Sequence, residues 1–245
     1  MGKEIKPPYV KLLDERGGLK IWIVDGEYIR GHIEEEFTNF AQHNQFPFIP
    51  ENELWIDRAT NIDDQKFYID NMLTMHRLTA KGVKYGPALA AAELEERRER
   101  RRSADFKRET GNGQKLPEGK DVHLKLWRKL EGGPDVWIVD GRLVRSVFDI
   151  EFTEGGHDRV YKFVPAGEVW IDNDLEEEER PYVLLHELHE RGLMGKGWSY
   201  DRAHAASSRL EFHCRRHPEA LHDALAKEGW VDTPERVPGH RGSAK

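Results

Sequence analysis

Residues 21–31 read I-W-I-V-D-G-E-Y-I-R-G, and residues 136–146 read V-W-I-V-D-G-R-L-V-R-S. The offset is 115 residues (136 minus 21), and it continues without a gap. E-F-T at 36–38 returns at 151–153, and F-I-P-E-N-E-L-W-I-D (48–57) returns as F-V-P-A-G-E-V-W-I-D (163–172). Leu78, Lys81, Gly82 and Tyr85 match Leu193, Lys196, Gly197 and Tyr200. Pairing residues 17–95 with 132–210 gives 25 identities in 79 pairs. Agreement on that scale marks an internal duplication, so both halves share one fold.

The local patterns describe the unit. W-I-V-D-G alternates and sets Asp-Gly between two apolar stretches, which is a hairpin signal. E-F-T with its turn, then F-P-F-I-P or Y-K-F-V-P, suggests further strands. E-L-W-I-D and E-V-W-I-D read as short strands with Trp and Ile as core anchors. Residues 62–80 and 177–194 switch to helical spacing. Gly82 and Gly197 then suit helix C-caps, and a second helix starts near Tyr85 or Tyr200. The expected fold class is α+β: a tandem duplicated unit, each copy a small antiparallel sheet followed by two helices.

The expected organisation is a degenerate, non-catalytic repeat at 1–102, a linker at 103–120, a metal-binding catalytic repeat at 121–217, and a C-terminal helix with a loose tail at 218–245. The linker is polar and rich in Gly. E-L-E-E-R-R-E-R-R-R (93–102) reads as a solvated helical face, because acids interleave with the arginines. A unit of roughly 95 residues gains from a partner face, so the repeats are expected to pack on each other as a pseudo-dimer.

Composition narrows the classes. With 245 residues and a net charge of −7 the chain has room for two modules and no basic excess, so nucleic acid is not an expected partner. No apolar run is long enough for a membrane span. The start, M-G-K-E-I-K-P-P-Y-V, has no apolar leader core, and Lys6 stands where myristoylation needs Ser or Thr. One cysteine, Cys214, excludes an internal disulfide and a Cys-rich zinc site, and it fits the cytoplasm as the expected compartment. Any metal must therefore be held by His and carboxylate.

The duplication supplies an internal control. Trp, Ile, Asp-Gly, Pro and Gly recur in both copies, and packing and turns account for them. The informative positions are reactive in one copy only. His186 pairs with Asn71, Glu187 with Met72, His189 with Thr74, Glu190 with Met75, His204 with Leu89 and His157 with Gln42. The fold accepts Met or Leu at several of these positions, yet the second copy carries His and Glu there. Burying such groups costs several kcal/mol unless they are paired or bind an ion.

V-L-L-H-E-L-H-E-R (183–191) puts His186 and Glu190 four residues apart, on one helical face. An apolar lead-in, two ligands at that spacing and a Glu after the first His is the arrangement of a zinc-hydrolase helix. The expected ligands of Zn2+, or another divalent metal, are His186, Glu190 and His204, the last from the next helix, with one open position for water. His189 is the alternative to Glu190. Glu187 is the expected general base. His157 and Tyr200 are candidate oxyanion donors, and His157 is also a possible ligand. Tyr200 has a counterpart in Tyr85, which favours a packing role. Asp201 either orients His204 or caps its helix. Gly155 and Gly156 would let the His157 loop come close to the site. Glu211 and His213 are weaker candidates, and His217 and His222 read as surface histidines.

The stretch H-E-L-H-E-R-G-L-M-G-K-G-W-S-Y-D-R-A-H-A-A-S-S-R-L-E (186–211) resembles small zincin-like metallopeptidases of phage and prokaryotic genomes. Their pattern runs H-E-x-x-E, then Leu-Met, Gly, Tyr, Ala-His and a later Glu. The resemblance implies a sheet packed on an active-site helix, a bound zinc and hydrolysis of a peptide or protein substrate. Position 190 is Glu where zincins usually carry a second His. The expected function is a metal-dependent hydrolase, with the strand at 168–172 as a possible wall for an extended peptide. The competing expectation is a non-catalytic binding or structural module whose His/Glu cluster is a structural metal site or no site.

Overall fold

The computed structural model describes residues 6–113 and 115–230 of the chain. The first unit runs β1 (Tyr9–Arg16), β2 (Leu19–Val24), α1 (Gly26–His32), β3 (Phe40–Gln42), β4 (Glu53–Asp57), α2 (Ile62–Ala80) and α3 (Tyr85–Arg102). A short α4 (Ala104–Glu109) follows. The second unit repeats the order as β5 (His123–Lys129), β6 (Asp135–Val139), α5 (Gly141–Val147), β7 (Gly155–His157), β8 (Glu168–Asp172), α6 (Arg180–Gly195) and α7 (Tyr200–Arg216). α8 (Leu221–Lys227) comes last. The chain is a duplicated α+β unit, with two long helices closing each copy.

The sheets are mixed rather than antiparallel throughout. Their strand orders are β1-β2-β4-β3 and β5-β6-β8-β7, and β2–β4 and β6–β8 pair in parallel. The cause lies in E-L-W-I-D. All five residues of β4 are buried, because Leu54 and Ile56 join Ile69 and Met72 of α2 on one face while Trp55 joins Val24, Ile29 and Phe37 on the other. A strand covered on both faces is where parallel pairing occurs. β8 is buried in the same way and lies between β6 and β7, so neither of its edges is free to pair with a peptide.

Asp-Gly turns out to start a helix, not a hairpin. The Asp25 and Asp140 side chains accept from the backbone N–H groups of Tyr28 and Leu143, as N-caps of α1 and α5. Gly is needed next because a Cβ at Gly26 or Gly141 would overlap the carboxylate of Asp57 or Asp172. The hairpin lies earlier, between β1 and β2. E-F-T is not a strand either; Phe37 and Phe152 are buried plugs under the sheet. Gly141→Ala is therefore expected to destabilise the protein by about 1–3 kcal/mol through overpacking. Gly31→Ala, at a helical glycine with open space around it, should not. Urea midpoints of the two variants check this.

The units meet through reciprocal contacts: α1 lies against α7, and α3 against α5. At the centre, Arg30 bonds Asp57 of its own unit at 2.7 Å and Glu179 of the other at 2.8 Å. Arg145 bonds Asp172 of its own unit, and Asp64 of the other at 2.8 Å. The two sets occupy the same repeat positions (30/145, 57/172, 64/179). Arg100 joins Asp64 and Glu96 at 2.6 and 2.8 Å, and Arg215 likewise joins Glu179 and Glu211, at 2.8 Å each. Glu96 and Arg100 are buried, so the helix end at 93–102 is not wholly solvated as expected. Burial opposes the charges on Arg30 and Arg145, but the carboxylates around them more than offset it and hold both well above the ordinary arginine range.

The linker has structure of its own. Ser103 caps α4, and Phe106 and Thr110 are buried. At the other end, Trp230 packs edge-on against Trp127 at 5.1 Å. Beyond it, the expected loose tail lies outside the described residues, as do residues 1–5, on which the leader expectation partly rests. Among the described residues no helix is long and apolar enough to cross a membrane.

Candidate metal centre

α6 presents His186, Glu187 and Glu190, and α7 presents His204. The two helices end and begin around Lys196–Gly197, where Gly197 has φ 88° and turns the chain back. This brings three donor atoms together. His186 Nε2 lies 3.1 Å from His204 Nδ1 and 3.5 Å from Glu190 Oε2. Glu190 Oε2 lies 2.8 Å from His204 Nδ1. Ligands about 2.0–2.1 Å from a tetrahedral zinc stand about 3.3 Å apart, so these residues have the spacing and donor chemistry of three ligands on one ion.

The outer atoms of the same side chains are tied. His186 Nδ1 faces Glu211 at 2.9 Å. His204 Nε2 faces Glu36, from the first unit, at 3.2 Å. Glu190 Oε1 faces His157 Nε2 at 3.0 Å. His157 Nδ1 accepts the Arg159 backbone N–H at 3.1 Å, which leaves the proton on Nε2 to be donated to Glu190. His157, fully buried, thus bonds Glu190, and with Glu187 and Glu190 it forms a second group of donors close enough to share an ion.

Without an ion, the charges balance among themselves. Burial pushes the Glu190 carboxyl up, but bonds from His157, His186 and His204 bring it well below the usual range. Bonds to Glu190 and Glu36 raise His204 to about 9. Burial opposes charge on His186, yet Glu190 and Glu211 raise it well above its ordinary value. Burial raises the Glu187 carboxyl against the pull of His157 and His186.

A cavity of about 330 Å3 opens beside these residues, lined by Glu187, His186, His204, Tyr161, Tyr200 and the first unit's Glu35, among others. The internal control shows why it exists. In the first unit Phe40 stacks on Tyr68 at 4.3 Å, and Met72 and Met75 fill the positions of Glu187 and Glu190. In the second, Gly155 and Val183 replace Phe40 and Tyr68, and Gly155 packs so closely on α6 that a Cβ would meet Val183 and Glu187. The Gly155 loop comes close to the site, as its sequence suggests. Glu154, just before it, carries a left-handed backbone (φ 60°) and bonds Arg30 at 3.0 Å.

The other candidates fall outside. His189 turns onto α8, where its Nδ1 meets Glu228 at 2.7 Å, so Glu190 and not His189 belongs to the centre. Asp201 is exposed in the first turn of α7, and the carboxylate on His204 is Glu36 instead. Tyr200 stacks on His204 at 5.4 Å. His213 sits 4.7 Å from His217, and His217 and His222 are exposed. Sequence reasoning ranked Glu211 low and missed Glu36. The one available signal for Glu36 was its identity with Glu151. No family model, curated protein or solved structure matches this chain.

Proposed function

We propose that the chain is a divalent-metal-dependent hydrolase, a zinc peptidase acting on peptide or protein substrates in the cytoplasm. One observation carries this reading: His186, Glu190 and His204 each have an outer atom tied by a partner and an inner atom aimed at a common point. A carboxylate behind a metal-binding imidazole is the usual support of such ligands. A divalent ion held there would supply Lewis-acid activation of water. Glu187, on the cavity wall, would be the group to take up a proton and return it to the leaving amine. Tyr161 and Tyr200 line the approach. The neighbouring Glu35, Glu36 and Glu154 would repel a phosphoester but not a neutral or cationic peptide. Buried, unpaired Cys214 is in keeping with a reducing compartment.

Metal analysis of the purified chain tests the reading. About one divalent ion per chain is expected, with none retained in His204→Ala and full content in Leu89→Ala, the matching position of the first unit. Undiminished metal in His204→Ala would remove that histidine from the ligand set. A second reading is favoured by the direct imidazole–carboxylate contacts, which already give every histidine of the cluster a partner. It makes the cluster a metal-free tie between the units of a binding module. On that reading the wild type carries no ion, and His204→Ala lowers the melting temperature instead.

A further inference from the structure

We infer that the first repeat is part of the centre: Glu36 is a positioning residue that holds His204 from across the unit boundary. This rests on the metal-centre reading and extends it. With His204 Nδ1 aimed at the centre, its Nε2–H is left to donate, and Glu36 Oε2 stands 3.2 Å away to receive it. Ser208, one helical turn after His204, gives its hydroxyl proton to the His204 backbone carbonyl at 3.1 Å. Glu36 thus does for His204 what Glu211 does for His186, but it comes from the unit that has lost every ligand. The contact fixes which ring nitrogen carries the proton and makes the other a better donor.

The duplication again provides the comparison. Glu151 is the repeat equivalent of Glu36, in the same E-F-T turn. It meets Glu93 of the first unit, a carboxyl facing a carboxyl, and no imidazole. Both E-F-T turns reach the cavity, but only the first unit's carboxylate meets an imidazole of the cluster. This explains how a copy with a filled pocket is still needed by the copy with an open one.

The test compares Glu36→Ala, Glu36→Gln and Glu151→Ala in the full chain, with Zn2+ affinity measured by chelator competition and Co2+ spectra as a second readout. Glu36→Ala is expected to weaken Zn2+ binding about 10–100-fold and to shift the Co2+ absorption bands. Glu36→Gln should fall between, because its amide oxygen still accepts from Nε2–H without the charge. Glu151→Ala should bind Zn2+ as the wild type does. Should Glu36→Ala misfold, Glu36→Gln carries the comparison. Wild-type affinity and spectrum in both Glu36 variants would overturn the inference and leave the hydrolase reading standing. A wild type that binds no Zn2+ would remove both.

Discussion

Replacing Glu187 by Gln is expected to leave the metal content unchanged and to lower kcat by about 10²–10⁴-fold, the range of a lost general base. The argument is geometric. Glu187 lines the cavity, and its carboxyl clusters with the Glu190 carboxylate and the His157 imidazole without joining the His186–Glu190–His204 set. Gln fills the same space and keeps a hydrogen-bond acceptor, but cannot take a proton. Steady-state kinetics on a peptide substrate, with metal analysis of the same preparation, check it. Turnover within about threefold of wild type would exclude Glu187 as the base.

The second large effect is on stability. Arg145→Met should cost about 3–5 kcal/mol, because it strands carboxylates that are themselves buried. Arg145 has only 2% of its side chain exposed, and Asp172 and Asp64 have 3% and 0%. Arg30→Met should behave alike, since its partners occupy the matching positions. Arg58 pairs across the units with Glu176 at 3.5 Å but is 35% exposed, and its removal should cost less than about 1 kcal/mol. Urea midpoints for the three variants decide the matter. A loss below about 1 kcal/mol for both buried arginines would show that the crossing does not hold the units together.

Much of this was legible in the sequence because duplication separates what the fold needs from what one copy adds. The long helices, their Lys-Gly ends and the meeting of His186, Glu190 and His204 on two adjacent helices were readable from spacing and from the comparison of the copies. Asp-Gly misled because the same dipeptide closes hairpins and caps helices; the distinction lies in Asp57 and Asp172, which only Gly allows so near. The parallel pairing of β2 with β4 was hidden, although five buried residues in a row are compatible with a central strand. The charge core was also missed. Arg30 and Arg145 are identical in both copies, and an arginine kept at matching positions is weakly explained by surface packing. Glu96/Glu211 and Arg100/Arg215 stand just past the compared stretch. Glu36 was invisible as a partner of His204, because nothing in one dimension places an early turn beside a late helix.

The crossing of Arg30 and Arg145 has a consequence for how such a chain can arise. Each arginine and the carboxylate it grips in the opposite unit come from fixed repeat positions, so a protein of one unit carries both halves of the contact on its own surface. Two separate copies could close face to face about a dyad with no tether. Joining them end to end leaves that seam intact but frees the halves from being alike, so one hollow can be plugged with aromatic rings while its twin is emptied and rimmed with acid.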